Sequence, residues 1–181
     1  GGAPLTGRRR AGYCPGRMRG PGPKRRLHAP AGLPRAATLR VLYADTDAMG
    51  IVYHGNYVRF LEHARIEHLR QHGSSYAEVE RRGFAVPVTD VEVRYAAPAR
   101  FDDLLSLHVG VVELSRARLR FAYRVVVEPG GRAGLAQPLV IAEAETGHCC
   151  VDRRDGRPVR FPDDLHAVLA ASPFLRDRAG P

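Results

Sequence analysis

Two carboxylates and an imidazole fall within one short run of this 181-residue chain: Asp45, Asp47 and His54, in Tyr43-Ala44-Asp45-Thr46-Asp47-Ala48-Met49-Gly50-Ile51-Val52-Tyr53-His54-Gly55-Asn56-Tyr57. A carboxylate can attack an acyl carbon or deprotonate water, an imidazole can carry a proton or orient a substrate, and free amides at a helix start can polarise a carbonyl. Asp45 and Asp47 flank a threonine in a run too polar for a buried strand. Gly50 and Gly55 permit sharp backbone turns, and Asn56 has the right side chain to cap the apolar-periodic segment that follows. Asp47 precedes that helix start by nine residues, and the intervening glycines let the chain fold the two together. These are the makings of a hydrolytic site, with Asp45 expected to form an Asx-type turn rather than do chemistry.

The elements that must hold this run can be read around it. Thr38 to Ala44 alternates weakly and predicts a first strand. From Asn56 to Gln71, Tyr57, Phe60, Leu61, Ala64 and His68 share one helical face while Val58, Ile66 and Leu69 sit on another, so the helix is expected to be largely enclosed. Gly73 fits its stop, and Ser75 with Glu78 has the spacing of a capping box for a short second helix to about Arg82. After Gly83 the apolar period becomes two. Phe84, Val86 and Val88 alternate, then Val91, Val93, Tyr95 and Ala97 alternate in the opposite phase, which predicts a bulge near Thr89-Asp90. Leu105 to Val111, Leu119 to Val127 and Leu139 to Val151 follow as strands, with a turn at Pro129-Gly130-Gly131 and a short helix from Pro162 to Ala170. This order predicts an α+β fold with helices on one face of a largely antiparallel sheet.

The chain is long enough for one core and too short for two comfortable domains. Its formal charge of +9 belongs to one end: residues 1–40 hold 10 of the 28 basic residues and none of the 19 acids, which leaves 18 basic and 19 acidic residues, a net of −1, for the rest. Residues 1–37, with Arg8-Arg9-Arg10 and Lys24-Arg25-Arg26, are too rich in Gly and Pro and too poor in apolar residues to offset the entropy of ordering, so they are expected to be a disordered tail ahead of a 38–181 domain. No apolar segment follows the arginines, which argues against an export signal, and a start at Met18 or an appended extension accounts for the tail more simply. Specific nucleic-acid binding is not expected, because the basicity is confined to that tail.

Cys14, Cys149 and Cys150 give an odd count and no metal-binding pair, and no run is long enough to span a membrane. A cytoplasmic protein is therefore expected. His63 and His68 with Glu67 superficially resemble a zinc helix, but five residues of separation turn them about 140° apart, so no metal is expected. Nucleophile-elbow, phosphate-loop and dinucleotide motifs are absent from the sequence.

Asp45-Thr46-Asp47-Ala48-Met49-Gly50-Ile51-Val52-Tyr53-His54-Gly55-Asn56-Tyr57, followed by Phe60-Leu61-Glu62-His63-Ala64-Arg65, resembles the signature of the hotdog-fold acyl-CoA thioesterases. The nearer likeness is to the 4-hydroxybenzoyl-CoA thioesterase family and, within it, to the branch associated with the bacterial Tol-Pal cell-envelope system. It runs from Leu39 through Arg157-Pro158-Val159-Arg160-Phe161-Pro162. The resemblance implies a hotdog fold, a sheet wrapped around the long helix, in homodimers or homotetramers with sites at subunit interfaces. It also implies Asp47 as the catalytic carboxylate, His54 and Tyr43 as its assistants, and the backbone amides of His54, Gly55, Asn56 and Tyr57 as the group that polarises the thioester carbonyl. No cofactor is implied, since coenzyme A is part of the substrate. Arg94, Arg100, Arg116 and Arg118 are candidates for its phosphates. The alternative is a non-catalytic module that binds an acyl carrier protein or envelope partners. A dehydratase on the same fold fits less well, since those relatives carry a His-centred site elsewhere.

Overall fold

The computed structural model describes residues 29–176. The expected tail up to Lys24-Arg25-Arg26, with Cys14, lies outside them. The expected end of that tail at Ala37 is corrected: Ala29 and Leu33 are buried, and the first strand, β1 (Arg35–Arg40), begins three residues earlier than Thr38 and stops before Val41. A single 3-10 turn occupies Tyr43–Asp45 where the end of that strand was expected.

The long helix α1 (Asn56–Gln71) buries Tyr57, Phe60, Leu61, Ala64, Arg65, His68 and Leu69, so its two apolar sides read from sequence both find cover. Asn56 is its first residue rather than its cap; Gly55 takes the cap position with no side-chain bond. In α2 (Tyr76–Arg81) Ser75 caps as expected, its Oγ accepting from the Glu78 amide at 3.1 Å.

Strands β3 (Val88–Tyr95), β4 (Leu104–Leu114), β5 (Arg118–Val127) and β6 (Leu139–Cys149) join β1 in a five-stranded sheet of order β1-β4-β5-β6-β3. Every neighbouring pair is antiparallel. The phase flip seen in sequence is a real irregularity, since the β3–β6 register shifts between Val88 and Asp90. The short strands β2 (Phe84–Ala85) and β7 (Val151–Asp152) pair apart from the main sheet, and α3 (Asp163–Ala170) closes the fold.

Leu105, Leu107, Val109 and Val111 of β4 and Leu119, Phe121, Tyr123, Val125 and Val127 of β5 point to the same side, where α1 lies across them. This is the hotdog arrangement of sheet around helix. The opposite face was legible only in part. Glu143 and Glu145 alternate with Ala142 and Ala144 as expected, yet both acids are buried. They are paired with Arg94, Arg124, Arg120 and Arg176 beneath the two ends of the described chain. Ala29 and Leu33 pack there with Val112, Ala122 and Phe174, and a Cβ at Gly110 would sit 2.9 Å from Leu33 and 3.0 Å from Phe174.

Candidate active site

The run that carries the candidate residues folds as a small hairpin between the 3-10 turn and α1. Thr46 bridges Val52, and the Asp47 amide donates to the Ile51 carbonyl at 2.9 Å. Gly50 closes the turn at φ 71, a left-handed conformation that costs a residue with a Cβ. The returning strand is pinned to the rest of the molecule: the Val52 amide donates to Ala99 and Ile51 bridges Arg100. A Cβ added at Gly55 would lie 2.7 Å from the Tyr53 ring, so a larger residue there would have to displace that exposed ring.

The two aspartates of this hairpin do different things. Asp45 is 3 % exposed. Its Oδ2 accepts from the Leu42 amide at 2.9 Å, and its Oδ1 is in an ion pair with Arg59 from the first turn of α1. Its carbonyl takes two further donors, the Tyr53 amide and Asn56 Nδ2, both at 2.9 Å. Asp45 is thus a buried clamp between turn and helix, which corrects the expectation of an Asx turn. That geometry belongs to Asp47, whose Oδ1 accepts from the Met49 amide at 2.8 Å. Asp47 is half-buried and its other oxygen has no hydrogen-bond partner among the described residues.

His54 follows the hairpin and is exposed. Its carbonyl accepts from Tyr95 Oη at 2.9 Å, and its ring lies 4.2 Å from that of Tyr53. The Thr46–Val52 bridge of the hairpin sets Asp45 opposite Tyr53, whose amide donates to the Asp45 carbonyl. Of the four amides expected to polarise a carbonyl, that of Asn56 is removed from the set, since it donates to the Tyr53 carbonyl at 2.9 Å. Those of His54, Gly55 and Tyr57 meet no backbone acceptor among the described residues, as helix-start amides do not.

Tyr43 stands apart. Its ring stacks on Phe101, centroids 3.6 Å apart and planes 11° apart, and no hydrogen bond joins its phenol to Asp47 or His54 among the described residues. Tyr57 is buried with its ring edge-on to Tyr95, and burial pushes its phenol up to about 12. Sequence reasoning missed Phe101, Tyr95 and Arg59. The contact of Tyr95 with His54 spans 41 residues, a separation that leaves no local signal.

Among the arginine candidates, Arg94 is committed to Glu143. Among the described residues no ion pair engages Arg100, Arg116 or Arg118, so these remain available to a phosphate. His63 is exposed while His68 is buried, so the two do not converge. Among the described residues no group of three or more metal-binding side chains comes together, and no helix is long and apolar enough to cross a membrane. Cys149 and Cys150 are both buried, and burial raises the Cys150 thiol to about 11, which makes it a poor nucleophile.

Comparison with known proteins agrees with this architecture. The profile of the thioesterase-like superfamily matches residues 41–169. The acyl-CoA thioester hydrolase YbgC of Escherichia coli is 36% identical over 129 residues, 71% of this chain and 90% of that protein. A 1,4-dihydroxy-2-naphthoyl-CoA hydrolase of Thermosynechococcus vestitus is 31% identical over 134 residues, 74% of this chain and 86% of that one. The crystal structure of a hypothetical protein from Thermus thermophilus superposes with a TM-score of 0.66 at 35% identity, covering 76% of this chain and 98% of its own. The chain belongs to the thioesterase-like superfamily and is a hotdog-fold thioester hydrolase.

Proposed function

We propose that this protein hydrolyses acyl-CoA thioesters to a carboxylic acid and free coenzyme A, with Asp47 as the nucleophile or general base. The observation that carries the reading is the state of Asp47. One carboxylate oxygen is fixed by the Met49 amide and the other is left for chemistry, on a hairpin that runs directly into the start of α1. A thioester carbonyl is weakly resonance-stabilised and expels a good leaving group, so a carboxylate and an oxyanion site are sufficient machinery. The amides of His54, Gly55 and Tyr57 supply the second. The His54 backbone, tied to Tyr95, fixes where they sit, and the His54 side chain orients substrate or carries a proton. Tyr43, stacked on Phe101, is the third side chain assigned to the site. Arg100, whose backbone bridges Ile51 of the hairpin, is the arginine assigned to the coenzyme A phosphates, while Arg116 and Arg118 lie at the other end of β4 and β5. An acyl chain on a carrier protein presents the same thioester and is a second possible form of the substrate.

The working unit in this reading is a homodimer. The outer edge of β3 pairs with no strand among the described residues, and Val88, Val91 and Tyr95 along it are exposed. Antiparallel pairing of β3 with the same strand of a second copy, about Val93, would cover this edge symmetrically. A homotetramer would need a further face, and the back of the sheet is already covered by the two ends of the described chain.

The direct test is release of free thiol from short-chain, long-chain and aromatic acyl-CoAs by the purified protein. Turnover on at least one class is expected, and its ranking fixes the acyl preference. No turnover on any of them contradicts the reading.

A further inference from the structure

Between Tyr53 and α1 the backbone is pinned peptide by peptide, with one exception. The Tyr53 carbonyl accepts from the Asn56 amide at 2.9 Å, which fixes the peptide joining Tyr53 to His54. The Gly55 carbonyl accepts from the Val58 amide at 3.3 Å, so the peptide joining Gly55 to Asn56 is bonded through its oxygen and its nitrogen. The peptide between them, His54 to Gly55, has no backbone bond among the described residues. Its carbonyl meets one donor there, Tyr95 Oη at 2.9 Å, from 41 residues away.

A trans peptide is planar, with its C=O and N–H pointing in opposite directions, so a bond that fixes the His54 oxygen also fixes where the Gly55 N–H points. Without that bond the group can swing between two orientations, and the glycine on its far side makes both accessible. One presents an N–H to an acyl oxygen and stabilises the charge that develops on it; the other presents a carbonyl oxygen and repels it. Tyr95 is itself well placed to choose. It ends β3 opposite Ala142, and the amides of Ala96 and Ala97 after it both donate to the Ile141 carbonyl. Its ring stands edge-on to that of buried Tyr57, centroids 5.1 Å apart, and Tyr57 stands edge-on to Phe60 at 5.8 Å. Burial raises the Tyr95 phenol above its ordinary value, so it stays protonated, and a donor, through the neutral range.

We infer that Tyr95 is a positioning residue for the hydrolysis: its hydroxyl selects the orientation of the His54–Gly55 peptide in which the Gly55 N–H faces the acyl oxygen. It acts through that peptide and not on the substrate. A hydrogen bond accepted by the carbonyl also polarises the same amide and makes its N–H a stronger donor. The benefit is greatest in the transition state, where charge gathers on the acyl oxygen, so it belongs to kcat rather than to KM.

This inference rests on the thioesterase reading, and one experiment separates the two. Tyr95→Phe keeps the ring against Tyr57 and removes only the hydroxyl, at an exposed position, so its Tm should stay near that of wild type. On the best acyl-CoA its kcat should fall about 10-fold, the worth of one hydrogen bond, with KM within about twofold. Two inhibitors tell positioning from a merely structural role. An α-fluorinated ketone analogue of the acyl-CoA, which adds water or the carboxylate to give a tetrahedral oxyanion, should bind the variant about 10-fold more weakly, in step with kcat. A thioether analogue, which has no carbonyl, should bind both proteins alike. Unchanged kcat in Tyr95→Phe overturns the inference, and so does equal weakening of the two analogues, which would mean that the hydroxyl only holds the site together. No thiol release by wild type from any acyl-CoA overturns the thioesterase reading beneath it.

Discussion

Asn56 Nδ2 donates to the carbonyl of Asp45 at 2.9 Å, so the first residue of α1 is stitched to the turn that precedes the candidate hairpin. The same aspartate holds Arg59 through its side chain and receives the Leu42 amide. Turn, hairpin and helix start are thereby one rigid unit, and the position of Asp47 relative to the helix amides depends on it.

Removing the clamp should cost both stability and rate. Asp45→Ala deletes a buried acceptor of the Leu42 amide and frees Arg59, and is expected to destabilise by about 1–3 kcal/mol, read as a lower Tm or denaturant midpoint. Asn56→Ala should lose about 1 kcal/mol and lower kcat more than it raises KM. A wild-type Tm and rate for Asp45→Ala would show that the clamp positions nothing.

Gly50 sits at φ 71 with open space around its Cα, so an alanine there meets strain and no clash. Gly50→Ala is expected to cost about 1 kcal/mol and to slow hydrolysis by displacing Asp47. Equal stability of the two proteins in urea titrations would argue against the left-handed turn.

Two buried imidazoles predict loss of stability in acid. His68 is held down to about 4 by burial and then by His72, and His148 to about 4 by burial and then by Arg65. Below the ordinary value of 6.5 the unfolded chain binds protons that the folded chain refuses until about 4. Their contribution is therefore complete above pH 6.5 and is lost as pH falls towards 4, with no further loss from these groups beyond it. Each group accounts for at most about 3 kcal/mol across that window. Melts at pH 7, 5.5 and 4.5 should show falling Tm, with a shallower slope in His148→Gln. The same slope in that variant would remove His148 from the account.

The unpaired edge of β3 gives a prediction about assembly. Val91→Lys, on its inner face, should weaken pairing with a second copy and shift the protein from dimer to monomer in light scattering, with activity falling in step. Monomeric wild-type protein at full activity would contradict the dimer.

Much of the fold could be read from local pattern. The alternation in β4 to β6, the opposite phases either side of Thr89-Asp90 and the Ser75 cap each depend on neighbours a few residues away, and each is found where the pattern put it. The site was legible as a run and not as a geometry. Asp45 and Asp47 are nearly symmetric about Thr46 in sequence, and which of them is buried is decided by Arg59, 14 residues on, and by Asn56, 11 residues on. Asn56 looked like a cap because its side chain suits one, but the Asp45 carbonyl offered a better acceptor. The burial of Glu143 and Glu145 was hidden for a similar reason, since their cover comes from Ala29 to Leu33 and from Arg176, far away in the chain.

Asp47→Asn is the most direct measurement. The substitution keeps the oxygen that accepts from Met49 and removes the negative charge, so the fold should survive with a Tm close to wild type. Thiol release from the best acyl-CoA should fall by about three orders of magnitude or more, as expected for loss of an essential nucleophile or base. A folded Asp47→Asn protein that hydrolyses at a rate near wild type would mean that the reacting carboxylate is elsewhere, and the account of this site would fail with it.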